Sequence, residues 1–184
     1  MNLVAKATIL DGAEMARILR RMAGEIVEAH RGVEGLMLVG IRTRGVPFAE
    51  ALADEIARAE GTRPPIGVLD ITLYRDDLSL VAPKPVVRES RFPRDLDGCV
   101  VVLCDDVLYT GRTVRAALDA LVDFGRPRAV RLAVLVDRGW RELPIHADFV
   151  GRKVPTSAAE VIKVSFAATD GASKVEILGR SAGA

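Results

Sequence analysis

Residues 101–113 read Val-Val-Leu-Cys-Asp-Asp-Val-Leu-Tyr-Thr-Gly-Arg-Thr, and they constrain the fold more than any other stretch of the chain. Four apolar residues without polar alternation predict a strand buried on both faces, which is the signature of a parallel sheet covered by helices. Two carboxylates, Asp105 and Asp106, come where that strand, read as Cys99–Cys104, is expected to end. A Thr-Gly-Arg-Thr turn follows, and an amphipathic helix is predicted over Thr113–Phe124. Val114, Ala117, Leu118, Leu121 and Val122 would face inward, and Gly125 and Pro127 would stop it.

The rest of the chain repeats the strand–loop–helix pattern. Ala13–His30 carries Met15, Ile18, Leu19, Met22 and Ile26 at spacings of three and four, with Asp11 as N-cap and Gly32 as stop signal. Leu36–Ile41 predicts a buried strand. After the Arg42-Thr43-Arg44-Gly45 loop, Pro47 opens a helix whose inner face is Ala49, Leu52, Ala53 and Ile56, and Gly61 closes it. Strands are predicted at Ile66–Leu73, Ala129–Val136 and, starting a short one, Phe149–Val150. Val161–Phe166 and Lys174–Leu178 read as a terminal hairpin turning at Asp170-Gly171. Between Tyr74 and Arg94, Pro83, Pro85 and Pro93 exclude regular helix, and a connection this long suggests a lid, part of it an extended hairpin. This alternation predicts an α/β fold: a doubly wound, mostly parallel sheet with flanking helices, formed by residues 1–184 as one domain.

Composition excludes several classes. With 184 residues, 49% hydrophobic and 28% charged, the chain can bury a full core. No apolar run is long enough for a membrane span, and the first residues lack a signal-peptide core, so a cytoplasmic location is expected. Net charge is +1, unlike a protein that coats DNA, yet residues 126–153 hold seven Lys/Arg against three acids. That imbalance is either a local basic face or a solvated surface. Cys99 and Cys104, five apart on one predicted strand, should point to opposite faces and stay buried and inert. Two histidines, His30 and His146, leave no His-rich zinc site or His-based triad in view.

In an open α/β sheet, ligands bind beyond the carboxyl ends of the strands, which gathers loops 42–45, 105–113 and 137–141 at one rim. Gly111 allows close approach of backbone, Thr110 and Thr113 offer hydroxyls, and the following helix offers free N–H groups at its positive end. Tyr109–Thr113 therefore reads as a cradle for a phosphate monoester. Asp105 and Asp106 can accept hydrogen bonds from vicinal hydroxyls of a ribose or hold Mg²⁺ through water. Arg44, followed by a glycine, reads as a second anion candidate or as a surface arginine, and Arg75 and Arg88, in the lid, carry the same two readings. Arg138 could close over a ligand. Trp140 could stack on a base or cover apolar surface.

Residues 101–113 resemble the phosphoribosyl-diphosphate (PRPP) motif of type I phosphoribosyltransferases. Val39–Gly45, Asp70–Leu78, Asp106–Thr113, Leu135–Gly139 and Arg141–Ile145 further resemble one subfamily, the bifunctional pyrimidine-operon regulators and uracil phosphoribosyltransferases, from about residue 8 to 166. The resemblance implies the type I fold with a small hood and a flexible loop. It implies the reaction of uracil with PRPP, accompanied by Mg²⁺ bound to PRPP rather than directly to protein, to give UMP and diphosphate. Asp105, Asp106 and Arg44 would be the catalytic set. PRPP and UMP would be bound by Thr43, Arg44, Arg88, Asp105, Asp106, Val107, Leu108, Tyr109, Thr110, Gly111, Arg112 and Thr113. Thr43 and Arg44 would meet the diphosphate, Arg75 to Arg88 would form the closing loop, and Arg138 with Val161 would form the hood around uracil.

The same resemblance implies UMP-dependent binding to the single-stranded leader of pyrimidine-operon (pyr) mRNA, by attenuation or translational block, and a homodimer or larger homo-oligomer. Arg17, Arg20, Arg21, Arg141, Arg152 and Lys153 would supply the RNA-binding charge. The chain departs from the family pattern where Trp140 replaces a His, His146 an Arg, and Arg20 and Gly24 a Thr and a His. Two alternatives stand beside this reading: a non-catalytic regulator that senses nucleotide and binds RNA, and a type I transferase for another base.

Overall fold

The computed structural model describes residues 3–75 and 88–180. Five parallel strands form the main sheet in the order β3-β2-β4-β5-β6. They are β2 (Leu36–Ile41), β3 (Ile66–Leu69), β4 (Val100–Leu108), β5 (Ala129–Asp137) and β6 (Phe149–Lys153). Helices α1 (Gly12–His30) and α2 (Gly45–Glu60) cover one face and α3 (Arg112–Leu121) the other. The sheet is thus doubly wound, as the run of apolar strands predicts. Strand β4 shows why an unbroken apolar run was needed. Val100, Val102 and Cys104 enter the core under α1 and α2, while Val101 and Leu103 enter the core under α3. No described helix is long and apolar enough to cross a membrane.

Local chemistry sets the element ends. Asp11 caps α1 through a reciprocal pair, its carboxylate accepting from the Glu14 N–H at 2.8 Å and the Glu14 carboxylate accepting from the Asp11 N–H at 3.0 Å. At the other end Arg31 (φ 64°) caps the helix, and Gly32 follows it at a positive φ of 118°. The Arg31 and Gly32 N–H groups close on the carbonyls of Glu28 and Val27. Helix α2 ends at Gly61 as expected.

Three boundaries differ from the sequence expectation. Strand β3 stops at Leu69, and Thr72–Tyr74 turns into a 3-10 helix, because the Asp70 carboxylate accepts the Thr72 N–H at 2.8 Å and curls the chain. Helix α3 gives way at Val122–Phe124 to a 3-10 turn, where Val122 is 67% exposed; Leu118, within the helix, is 38% exposed rather than inward. Val114, Ala117 and Leu121 face inward as expected, and Ala116 and Ala120 complete the inner face. Strand β4 runs on to Leu108, so Asp105 and Asp106 are strand residues rather than loop residues.

A second, antiparallel sheet of order β1-β8-β7 is built from β1 (Leu3–Leu10), β7 (Val161–Ser165) and β8 (Lys174–Arg180). The predicted hairpin is β7–β8, with a short helix α4 (Ala167–Asp170) at its turn. Strand β1 was not predicted. It is mostly exposed and owes its extended form to pairing with β8 at the far end of the chain. The expected lid and hairpin fall largely on residues 76–87, outside the described residues. Cys99 and Cys104 are buried and free, and burial pushes the Cys104 thiol up, away from the reactive thiolate.

Candidate functional site

The site forms at the carboxyl end of β4, between its neighbours β2 and β5. Because side chains alternate along a strand, Asp105 and Asp106 serve opposite sides. Asp105 lines a cavity of about 250 Å³ with Arg75, Val107, Leu108, Tyr109, Thr110, Gly111, Arg112, Thr113 and Val114. Asp106 lies toward the loop after β2, where the Arg44 guanidinium eases its ionisation. Asp105 is 7% exposed and accepts the Asp106 N–H at 3.0 Å. Burial holds its carboxyl well above the usual carboxylate range, and the neighbouring Asp106 charge adds to this. Asp106 is raised too, chiefly by burial. Two carboxyls resisting ionisation beside each other call for donors or cations from a ligand. Among the described residues no set of three or more His, Cys, Asp or Glu could hold a metal ion.

The cradle is built as the turn chemistry suggested. Gly111 is the N-cap of α3 at φ 94°, a left-handed backbone conformation that favours glycine. A glycine cap has no side chain to accept from the first turn of α3, where the Arg112 N–H reaches back to Thr110 Oγ1 at 3.3 Å. The loop is held from behind. The Thr110 carbonyl accepts from the N–H groups of Glu142 and Leu143 at 3.0 and 3.1 Å, and Arg112 pairs with Glu142 at 2.7 Å.

The 42–45 loop approaches the acids because of one glycine. A Cβ on Gly45 would lie 2.2 Å from the Cys104 carbonyl oxygen. Only glycine lets the start of α2 press on β4 just before Asp105. The peptide between Arg42 and Thr43 is cis. Arg44, the α2 N-cap, donates from Nη1 to the Asp170 carboxylate and to Thr169 Oγ1 at 3.3 Å. Asp170 had been read only as a turn residue, and nothing in its spacing pointed to this pairing. Arg88 donates its backbone N–H to Asp70 at 2.8 Å. Since Asp70 also accepts from Thr72, it fastens residues on both sides of 76–87, and these bonds draw its carboxyl below the ordinary range despite burial.

On the β5 side, Arg138 is 6% exposed. Its guanidinium lies 3.9 Å over the Tyr109 ring and donates to Thr156 Oγ1 at 3.1 Å and the Ser157 carbonyl at 3.2 Å. Trp140 is half exposed, its indole N–H donating to the Thr156 carbonyl at 2.7 Å. Val161 opens β7 and is 40% exposed, and it is not among the cavity's lining residues.

The six cations read as one RNA face divide in the structure. Arg17, Arg21 and Arg152 line a shallow groove between α1 and β6 with Glu14 and Ile18. Arg21 also donates to the Val150 and Gly151 carbonyls at 3.2 and 2.6 Å. Lys153 is exposed at the end of β6. Arg20 points instead toward α2, with Glu55 at 3.8 Å. Arg141 is only 16% exposed along its side chain and is engaged within the molecule. It pairs with Asp137 at 2.6 Å and donates to the carbonyls of Tyr109 at 2.6 Å, Ile145 at 2.9 Å and Gly139 at 3.0 Å. Its guanidinium therefore braces the cradle rather than standing free on a basic face. This clamp was missed because a loop arginine carries no sign of its carbonyl partners. Asp148 likewise offsets Arg131 at 2.9 Å, which reduces the imbalance seen over residues 126–153.

Comparison with known proteins agrees with this architecture. The phosphoribosyl transferase domain family matches residues 6–168. The chain is 62% identical over 172 residues to the bifunctional protein PyrR of Thermus thermophilus, covering 94% of this chain and 95% of that one. It is 58% identical over 172 residues to the bifunctional protein PyrR of Deinococcus deserti, covering 94% of each. Among solved structures, a hypoxanthine phosphoribosyl transferase of Trypanosoma cruzi superposes with a TM-score of 0.73 at 17% identity, covering 95% of this chain and 91% of that chain. At that identity the likeness speaks for the fold.

Proposed function

The chain belongs to the phosphoribosyl transferase domain family, among its bifunctional PyrR members, and from that premise we propose that it converts uracil and PRPP to UMP and diphosphate and regulates pyrimidine-biosynthesis genes by UMP-dependent binding to pyr mRNA. The observation that carries the transferase reading is the juxtaposition at the end of β4. An acid pair, Asp105 buried and Asp106 half-buried, stands between a glycine-capped helix start and an arginine of the neighbouring loop. One side fits a 5′-phosphate, the other a diphosphate, and the acids fit the ribose hydroxyls between them.

The chain's own residues then divide the work. Asp105 and Asp106 hold the ribose 2′- and 3′-hydroxyls. Tyr109 to Thr113 hold the 5′-phosphate through backbone amides and hydroxyls. Thr43 and Arg44 receive the diphosphate. As the bond from C1 to diphosphate breaks, positive charge develops on the sugar and negative charge on the leaving group. The acids would stabilise the first and Arg44 the second, so positioning and electrostatics replace a dedicated nucleophile. Mg²⁺, carried in by PRPP, adds neutralisation of the diphosphate when bound. Arg138 on the Tyr109 ring forms the wall against which uracil is placed. Arg88, at the end of the loop expected to close, joins on the diphosphate side.

For RNA, the Arg17–Arg21–Arg152 groove with Lys153 offers charge, and Trp140 an exposed aromatic for stacking. We place the protein in the cytoplasm, as a homodimer or larger homo-oligomer, where PRPP, uracil and mRNA meet. The test is incubation with PRPP, Mg²⁺ and one nucleobase at a time. UMP from uracil is expected, and nucleotide from hypoxanthine but not from uracil would reject the assignment.

A further inference from the structure

Arg44 is claimed from two sides. The charge of Asp106 acts on it from β4. From the second sheet, Asp170 pairs with its Nη1, and Thr169 Oγ1 adds a contact at 3.3 Å. The same Asp170 oxygen also accepts the Phe166 N–H at 2.9 Å and the Thr169 hydroxyl at 2.8 Å. One carboxylate oxygen thus collects three donors and fixes the turn between β7 and β8. Asp170 therefore holds an anion's place at the arginine assigned to the diphosphate. From this geometry we propose that Asp170 is a positioning residue that stands in for the diphosphate, holding Arg44 in the ligand-free site and yielding it when diphosphate binds.

The exchange is physically favourable in the required direction. Asp170 gives Arg44 one carboxylate oxygen, whereas a phosphoryl group can meet the guanidinium fork with two oxygens and more charge. The side chains of the pair are 35% and 22% exposed, so solvent weakens it and the cost of breaking it is small. Once released, Asp170 keeps its bonds to Phe166 and Thr169, and the turn survives. The device makes the occupancy of the diphosphate site felt by the three-stranded sheet, whose strand ladder is separate from that of the main sheet.

This inference rests on the assignment of Arg44 to the diphosphate, and the experiment separates the two. Titration calorimetry with inorganic diphosphate in Mg²⁺ would compare wild type, Asp170→Asn, Asp170→Glu, Arg44→Ala and the double variant Arg44→Ala/Asp170→Asn. Asparagine keeps an acceptor for Phe166 and removes the charge, and thermal melts verify folding. Asp170→Asn should bind diphosphate about three- to tenfold more tightly and lower the KM for PRPP, with little change in the KM for uracil. Asp170→Glu should stay near wild type, and the gain should vanish without Arg44. Unchanged or weaker binding in a folded Asp170→Asn would overturn the proposal, because Asp170 would then be inert or would aim Arg44 at the ligand. If Arg44→Ala leaves wild-type affinity intact, the assignment of Arg44 fails, and the proposal with it.

Discussion

At the scale of the residue, Asp105 stores an unfavourable interaction that a purely structural position would not keep. Its carboxyl is buried beside a second one, and both are raised above the ordinary range. A raised folded pKa means that stability is fully present below the unfolded value and is lost as pH rises through the folded one. Asp105→Asn removes that loss while keeping the oxygen that accepts the Asp106 N–H. It should melt above wild type at pH 8, with the gap closing toward pH 4, while UMP formation falls at least about tenfold. Thermal melts across pH check the first part, and a melting curve below wild type at pH 8 would contradict it. Arg141 makes the complementary case. Its contacts to Asp137 and to the carbonyls of Tyr109, Gly139 and Ile145 need the spread of a guanidinium. Arg141→Lys should retain charge but release the cradle, cutting turnover about tenfold while the fold persists. Retention of full turnover would show that the clamp is dispensable.

At the scale of the element, the decisive contact is helix α2 on strand β4. Gly45→Ala would drive a Cβ into the Cys104 carbonyl, which is backbone and cannot swing aside. The expected cost is about 3 kcal/mol or more in denaturant unfolding, together with loss of the 42–45 loop from the site. A near-neutral substitution would mean that the loop and strand are not so closely apposed. This scale also divides what the sequence reveals from what it hides. Strands β2, β4 and β5 and helices α1 and α2 were legible because uninterrupted apolar runs and caps such as Asp11 are local signals. Asp105, Asp106 and the Tyr109–Thr113 cradle were legible because acids, a strand and a helix start adjoin in the chain. Strand β1, the inner face of α3 at Ala116 and Ala120, and the Arg44–Asp170 pair were not, since each depends on a partner distant in sequence. The acids' depth inside β4 was also hidden, because strand pairing carried the ladder as far as Leu108 and Asp137.

At the scale of the whole molecule, the acid pair and the arginine groove proposed for RNA occupy different parts of the surface. The acids and cradle lie at the carboxyl end of β4, whereas Arg17, Arg21 and Arg152 line the groove between α1 and β6. Replacing Arg17, Arg21 and Arg152 together with alanine should weaken binding to the organism's own pyr leader and reduce the salt slope by up to about three. UMP formation should stay within about twofold, since none of the three touches the PRPP site. Gel shifts at several salt concentrations, with and without UMP, provide the check, and undiminished binding would move the RNA to another face.

All of this depends on the acid pair at the end of β4 being a ribose site. The most direct measurement is kcat/KM for UMP formation from PRPP and uracil in Asp106→Asn beside wild type. A loss of at least about tenfold in a folded variant is expected. Unchanged kinetics would contradict the account at its centre.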